Sequence, residues 1–305
     1  MNSKFQHPIS SIQHPKIQNP LSSIHHPVSR IQHPVSTIQH PESTIHHPPS
    51  NKIFQLSSLS LPEMQTKRLN KAISETGYCS RREADRLIEQ GKVKVNDAIA
   101  GLGVQVSEND QIFVEGKLIT NNVKLIYLAF NKPVGITSTT DTTIKSNIID
   151  FINFPERIFP VGRLDKPSEG LIFMTNDGDI VNKILRSKNN HEKEYVVTVN
   201  KRITPDFIEK MSSGVPVLDT ITKKCTVKKI DDFTFNIILT QGLNRQIRRM
   251  CDYLGYEVKT LKRIRIMNIK LGNLKSGKYR YFTKDELTEV LRLVEDSVKT
   301  MEASQ

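Results

Sequence analysis

The sequence predicts an α+β protein: a small module of two helices and short strands, then a mixed β-sheet with helices on its faces, behind a disordered N-terminal repeat tail. Three observations carry this expectation. Residues 1–63 contain a seven-residue repeat with one proline per copy. Residues 66–118 hold two helical patterns followed by short alternating runs. Residues 124–292 alternate several apolar strands with amphipathic helices.

The tail comes first. His26-Pro27-Val28-Ser29-Arg30-Ile31-Gln32 is followed by His33-Pro34-Val35-Ser36-Thr37-Ile38-Gln39 and by His40-Pro41-Glu42-Ser43-Thr44-Ile45-His46, with earlier copies starting at His7 and His14. A period of seven invites a coiled coil, but a proline in each repeat removes a backbone donor and clashes with the preceding turn. One Ile per repeat buries too little to offset chain entropy. Eight of the nine histidines lie here. Expansion of a short repeat explains them better than a metal-binding tract, since no Cys or carboxylate cluster accompanies them. No apolar h-region marks a secretory signal. Foldable sequence begins just after Met64, which makes Met64 a candidate translation start.

Composition narrows the function. The 305 residues hold 44 Lys and Arg against 32 Asp and Glu, a net charge of +12. The tail has Lys4, Lys16, Arg30 and Lys52 against Glu42 and Glu63, so most of the excess lies on the foldable part. Such an excess points to a polyanion, nucleic acid before an anionic membrane surface. No run approaches the roughly 18 apolar residues of a membrane-spanning helix. Cys79, Cys225 and Cys251 form neither a disulfide framework nor a zinc-ligand pair, so a reducing cytoplasm is expected.

In the module, Leu69, Ala72 and Ile73 have helical spacing, with Lys71 beside them. Ser80-Arg81-Arg82-Glu83 reads as a capping box, Ala84, Leu87 and Ile88 as the buried stripe, and Gly91 as the stop. Val93 and Val95 alternate with lysines, Asn96-Asp97 makes a turn, and Ile112 and Val114 alternate again. Arg81 and Arg82 sit in a first turn, where the helix dipole disfavours cations, and Arg86 follows Arg82 by one turn. Arriving phosphates would neutralise them; pairing with Glu83 and Asp85 is the alternative. The stretch from Lys67-Arg68-Leu69-Asn70-Lys71 to Gly91-Lys92-Val93 resembles the S4 RNA-binding domain, which implies RNA without specifying a reaction.

Further along, Leu125–Phe130 reads as a strand leading into Asn131-Lys132-Pro133-Val134-Gly135. Ile158–Val161 leads into Gly162-Arg163-Leu164-Asp165-Lys166, and Leu171–Met174 follows. Taken alone, Asp165 is an ordinary turn residue. Glu194–Val199 alternates Tyr195, Val197 and Val199 toward one side, so Tyr195 either packs or offers a stacking platform. Asn244-Arg245-Gln246-Ile247-Arg248-Arg249-Met250-Cys251 opens a helix after strand Phe235–Leu239, with Asn244 as its expected cap and Gly255 as its stop. Ile247, Met250, Cys251 and Leu254 fall on one face. Arg245, Arg248 and Arg249 fall on the other, expected to be exposed, with one Asp252 nearby. A helix Pro205–Met211 capped by Thr204 and a closing helix Lys284–Val298, with Leu287, Val290, Leu291 and Val294 in register, complete the pattern.

Gly162-Arg163-Leu164-Asp165, Lys193-Glu194-Tyr195 and Asn244-Arg245-Gln246-Ile247-Arg248-Arg249-Met250, behind an S4-like module, resemble the RsuA-type ribosomal-RNA pseudouridine synthases over about residues 66–292. The repeat tail has no counterpart in that pattern. The resemblance implies conversion of a uridine in RNA to its C-glycoside isomer without metal or organic cofactor. It makes Asp165 the essential carboxylate, Arg248 its partner with Arg245 the second choice, and Tyr195 the residue that stacks on uracil. Arg163 would fill the space left by an extruded nucleotide. Lys166, Gln246 and Arg249 would hold neighbouring phosphates or bases. Leu164 and Ile247 join the RNA-binding set as members of the same motifs. Lys71, Arg81, Arg82 and Arg86 would grip a second RNA segment. Thr222-Lys223-Lys224-Cys225 and Gln241-Gly242-Leu243-Asn244 favour large-subunit (23S) rRNA as the target, with tRNA, both RNAs, or small-subunit rRNA as alternatives. A binding-only S4 factor is the distant rival. The resemblance also implies a cytoplasmic monomer, with a catalytic domain over 124–292.

Overall fold

Capping and burial shape the module. The computed structural model describes residues 66–186, 189–295 and 297; the repeat tail, its expected disorder and Met64 lie outside them. A short strand β1 (Lys67–Arg68) leads into α1 (Leu69–Glu75), whose Leu69, Ala72 and Ile73 are buried. In α2 (Arg81–Glu89) the Ser80 hydroxyl accepts from the Glu83 amide at 3.1 Å. The Glu83 carboxylate turns to Arg86 instead of returning to Ser80, so half of the expected capping box forms. Gly91, at φ 68°, ends the helix, with Gly91 N donating to Ile88 O and Lys92 N to Leu87 O, a Schellman arrangement. Strands β2 (Val93–Val95), β3 (Ala98–Ile99), β4 (Gln105–Val106), β5 (Ile112–Val114) and β6 (Lys117–Ile119) follow. Four of them form an antiparallel sheet in the order β3-β2-β5-β6, and β4 pairs with β1. Leu69, Ile73, Ala84, Ile88, Val93 and Val114 fill the core between helices and sheet.

Beyond a linker, the strands are β7 (Tyr127–Lys132), β8 (Phe159–Val161), β9 (Glu169–Thr175), β10 (Lys193–Val199), β11 (Pro216–Val217), β12 (Thr220–Ile221), β13 (Thr226–Lys229), β14 (Thr234–Leu239), β15 (Val258–Ile266), β16 (Ile269–Lys270) and β17 (Tyr279–Tyr281). The helices are α3 (Ile148–Ile152), α4 (Gly178–Leu185), α5 (Pro205–Ser213), α6 (Gln246–Tyr253) and α7 (Lys284–Leu293). The main sheet runs β13-β14-β10-β15-β9-β7-β17, with β16 attached to β15 and β8 to β9. Its central pair, β15 with β9, is parallel and all others are antiparallel, so the sheet is mixed as expected.

Each half of the sheet has its own core. Val197, Phe235, Ile237 and Leu261 pack with Phe207 and Met211 of α5 and Met250 and Cys251 of α6. On β9 the side chains alternate. Leu171 and Phe173 meet α4 and α7, whereas Ile172 and Met174 meet α3, so β9 is covered on both faces. The closing helix ends at Leu293, and Leu291 is exposed, against expectation. Val290 and Val294 carry the buried contact of this helix, packing in one core with Ala129, Leu171, Phe173 and Ile266. Residue 298, its expected end, lies outside the described residues.

In the sheet the halves pair at Lys262 with Glu169 and at Arg263 with Gly170. Gly170 has φ 110°, and a Cβ built there would stand 2.3 Å from the Arg263 carbonyl oxygen and 2.7 Å from its nitrogen. No side chain fits between those backbones. We expect Gly170→Ala to lose about 2–3 kcal/mol in urea denaturation; an unchanged midpoint would show that the two strands can separate freely.

Candidate active site

The loop before β9 and the start of α6 meet where the two halves of the sheet join. Leu164 anchors the loop. It is buried, and its N–H donates to the Ser138 hydroxyl, which in turn donates to the Leu164 carbonyl, at 3.2 and 3.0 Å. The next residue, Asp165, keeps its side chain 31% exposed, and its carbonyl accepts from the Ser168 amide. Asp165 Oδ2 stands 3.8 Å from Arg248 Nε and 3.9 Å from Arg245 Nη1. These are Coulombic distances, too long for a hydrogen bond. Arg248 Nε is buried without a hydrogen-bond partner.

Arg248 is not on an exposed stripe. It is 8% exposed, and its guanidinium donates to the Val258 and Pro167 carbonyls at 3.3 Å and to the Ser168 hydroxyl at 3.1 Å. Burial, and next the nearby Arg245, push its pKa down. The reason for the difference is tertiary. The 165–168 loop covers a helix face whose charge pattern, by itself, faces water. Arg248 thereby ties the Asp165 loop to α6.

The cap also differs. Arg245, not Asn244, precedes α6, in the left-handed conformation at φ 51°, ψ 33°. A non-glycine residue held there costs of order 1–2 kcal/mol and needs support from its surroundings. Gln246 and Arg249 supply it. Gln246 is buried; its Oε1 accepts from Leu243 N at 3.0 Å, and its Nε2 donates to Gln241 Oε1 at 3.4 Å. Arg249 Nε donates to the Asn244 carbonyl at 3.1 Å. Ile247 is buried in one core and Leu164 in another, and both also line the cleft that holds Asp165.

Tyr195, half-buried on β10, packs against the cores of both halves, and the Arg263 guanidinium lies 5.9 Å from its ring centroid. Asp165, Arg245, Arg248 and Tyr195 line one cleft of about 920 Å³, and exposed Arg163 and Lys166 stand at its rim. In the first module, Lys71 is committed to Glu75 and Asp179 and Arg86 to Glu83, while Arg81 and Arg82 remain exposed.

Three cations near this cleft escaped the sequence reading. Arg263, 3% exposed, donates to the Leu171 carbonyl at 2.6 Å and leaves Nη2 without a partner. Lys193 donates to the His191 carbonyl, and Lys132 to the Pro133 and Ile136 carbonyls. Burial pulls both lysines down to about 8. A charged residue at an inward strand position, as Lys193 is beside Tyr195 and Val197, was the available signal. Because the unfolded chain holds the Lys193 proton more tightly than the fold does, this burial costs stability below pH 8, and the cost fades between pH 8 and 10.5. Lys193→Met should therefore be the more stable protein at pH 7, by about 3 kcal/mol at most. Its lead in melting temperature should shrink toward pH 10, and a pH-independent difference would contradict a buried charge.

A family model described as RNA pseudouridylate synthase matches residues 126–253, and an S4 domain model matches residues 67–112. The chain is 58% identical over 232 residues, 75% of its length, to the dual-specificity RNA pseudouridine synthase RluF of Escherichia coli (strain K12), covering 80% of that protein. It belongs to the RNA pseudouridine synthases. The enzyme is also 34% identical over 238 residues to the ribosomal large subunit pseudouridine synthase B of Bacillus subtilis (strain 168), covering 75% of this chain and 97% of that one. A solved pseudouridylate synthase is 31% identical with a TM-score of 0.55, over 74% of this chain and 99% of the other. The enzyme is an RNA uridine isomerase with an S4 domain and a pseudouridine synthase domain on a mixed sheet. No helix among the described residues is long and apolar enough to cross a membrane.

Proposed function

We propose that the enzyme isomerises one uridine in 23S rRNA and a second in tRNA, with Asp165 as the reacting carboxylate. The observation that carries this reading is an Asp165 side chain open to a large cleft and flanked at 3.8 and 3.9 Å by two guanidiniums. The ribosomal target is supported by the name of the Bacillus relative, and a second RNA by the dual specificity named for the Escherichia coli relative. Residues 66–118 serve as the RNA-binding domain and 124–292 as the catalytic one.

The reaction breaks N1–C1′, turns the uracil, and joins C5 to C1′, none of which can happen inside a base stack. Extruding the nucleotide costs a few kcal/mol. Arg163, at the rim, fills the vacated space, and Lys166 meets flanking phosphates. Tyr195, which lines the cleft, receives the uracil face and assists loss of the C5 proton. Arg248 and Arg245 flank the carboxylate at 3.8 and 3.9 Å and set the positive field in which it reacts. The chemistry needs no metal or organic cofactor, and the enzyme works as a cytoplasmic monomer.

Incubation of the protein with 23S rRNA and tRNA transcripts, followed by carbodiimide mapping, should reveal one new adduct in each, with EDTA present or absent. Adducts in tRNA alone would remove the ribosomal assignment. None in either would remove the whole reading.

A further inference from the structure

A second, smaller cleft of about 220 Å³ lies where the S4 module meets the catalytic domain. Lys71 of α1 closes this junction by reaching Asp179 of α4 at 2.8 Å. Two guanidiniums face the cleft: Arg81 from the first turn of α2 and Arg157 from the segment before β8. Neither makes an ion pair with a carboxylate among the described residues. Arg157 is half-buried over the Phe159 ring, 5.6 Å from its centroid, and burial pushes its pKa down. Glu75, the acid in this wall, is already engaged by Lys67 and Lys71 at 2.7 and 3.4 Å. Asp177 caps the first amides of α4, so the helix end itself is occupied. What remains is concentrated, unneutralised positive charge in a concave site.

Phe159 and Val181 line this cleft and the catalytic cleft alike, so the two are neighbours. We infer that the junction is a composite phosphate site in which Arg81 and Arg157 together hold one backbone phosphate of the RNA whose target nucleotide enters the catalytic cleft. The inference rests on the reading of the enzyme as acting on RNA. It assigns the S4 module a role in setting the register of the strand, beyond adding affinity. Unpaired guanidiniums from two domains recognise a phosphodiester by charge-assisted hydrogen bonds that either alone makes weakly.

The test uses the full chain and an in vitro transcript of 23S rRNA. Arg157→Gln and Arg81→Gln should each weaken Kd about five- to tenfold near 0.1 M salt and flatten the log Kd–log salt slope by about 0.7–0.9, the share of one phosphate. Because both arginines hold the same phosphate, the double variant should lose little more than either single one. In turnover, the loss should fall on KM. Arg157→Lys, which keeps the charge, should recover part of it. An unchanged slope in both single variants, or losses that simply multiply in the double variant, would overturn the composite site. Should Arg157→Gln fail to fold, Arg81→Gln, exposed on α2, still decides through its slope. Pseudouridine formation by the unaltered enzyme is measured alongside. Its absence would count against the catalytic reading while the binding data continue to judge the junction.

Discussion

Asp165→Asn is expected to abolish pseudouridine formation, with a single-turnover rate lowered at least about 10⁴-fold, some 5.5 kcal/mol of barrier. The substitution keeps shape and removes charge. It breaks no hydrogen bond to the neighbouring guanidiniums, because both stand 3.8–3.9 Å away in the resting protein. The fold should therefore be retained, and RNA affinity should fall less than about tenfold, 1.4 kcal/mol. Loss of rate with retained binding marks a group used in the reaction itself and not in docking. Carbodiimide mapping under single-turnover conditions, beside filter binding of the same RNA, checks both halves. Residual turnover near the wild-type rate would take Asp165 out of the chemistry.

Arg248→Met should have the next largest effect, and it should strike stability and rate together. The buried guanidinium serves the Val258 and Pro167 carbonyls and the Ser168 hydroxyl while facing Asp165. Methionine fills much of the volume but leaves those acceptors unpaired, at about 1–3 kcal/mol for the first and less for any that relax to water. The Asp165 loop then loses its tie to α6, and turnover should drop about 10²–10³-fold, the scale of one lost electrostatic stabiliser. Arg248→Lys separates charge from geometry. A lysine restores the cation but cannot span three acceptors on two segments, so it should recover little of either loss. Arg245 offers the contrast. Its side chain is 45% exposed, and its removal should change stability by less than about 1 kcal/mol. Chemical denaturation and single-turnover rates on these variants are sufficient. A fully stable, fully active Arg248→Met would show that the tie is dispensable.

Much of the fold was legible because its signals are local. Ser80 before α2, Thr204 before Pro205, and Gly91 and Gly255 after their helices each satisfy or permit a neighbouring backbone group, and such chemistry reads directly from adjacent residues. A continuous apolar run located β9, alternation located β10, and β14 was placed before the α6 motif, all to within two residues at either end. The start of α6 differs because no cap-type side chain announces an arginine in the left-handed region; the adjacent Gln246 braces it, its Oε1 accepting from Leu243 N.

By itself, then, the sequence determined the α+β class, the order of two folded parts, the basic character of the surface and the motif residues of the candidate site. Tertiary structure alone decided that Arg248 is buried while Arg245 is not, that Gly170 lets two backbones touch, and that Lys132, Lys193 and Arg263 place buried charge near the cleft. The physical reason is one of range. Caps, turns and periodicity act within a few residues, whereas burial of a charge depends on which distant segment covers it, and here the covering segment is a loop about eighty residues away along the chain.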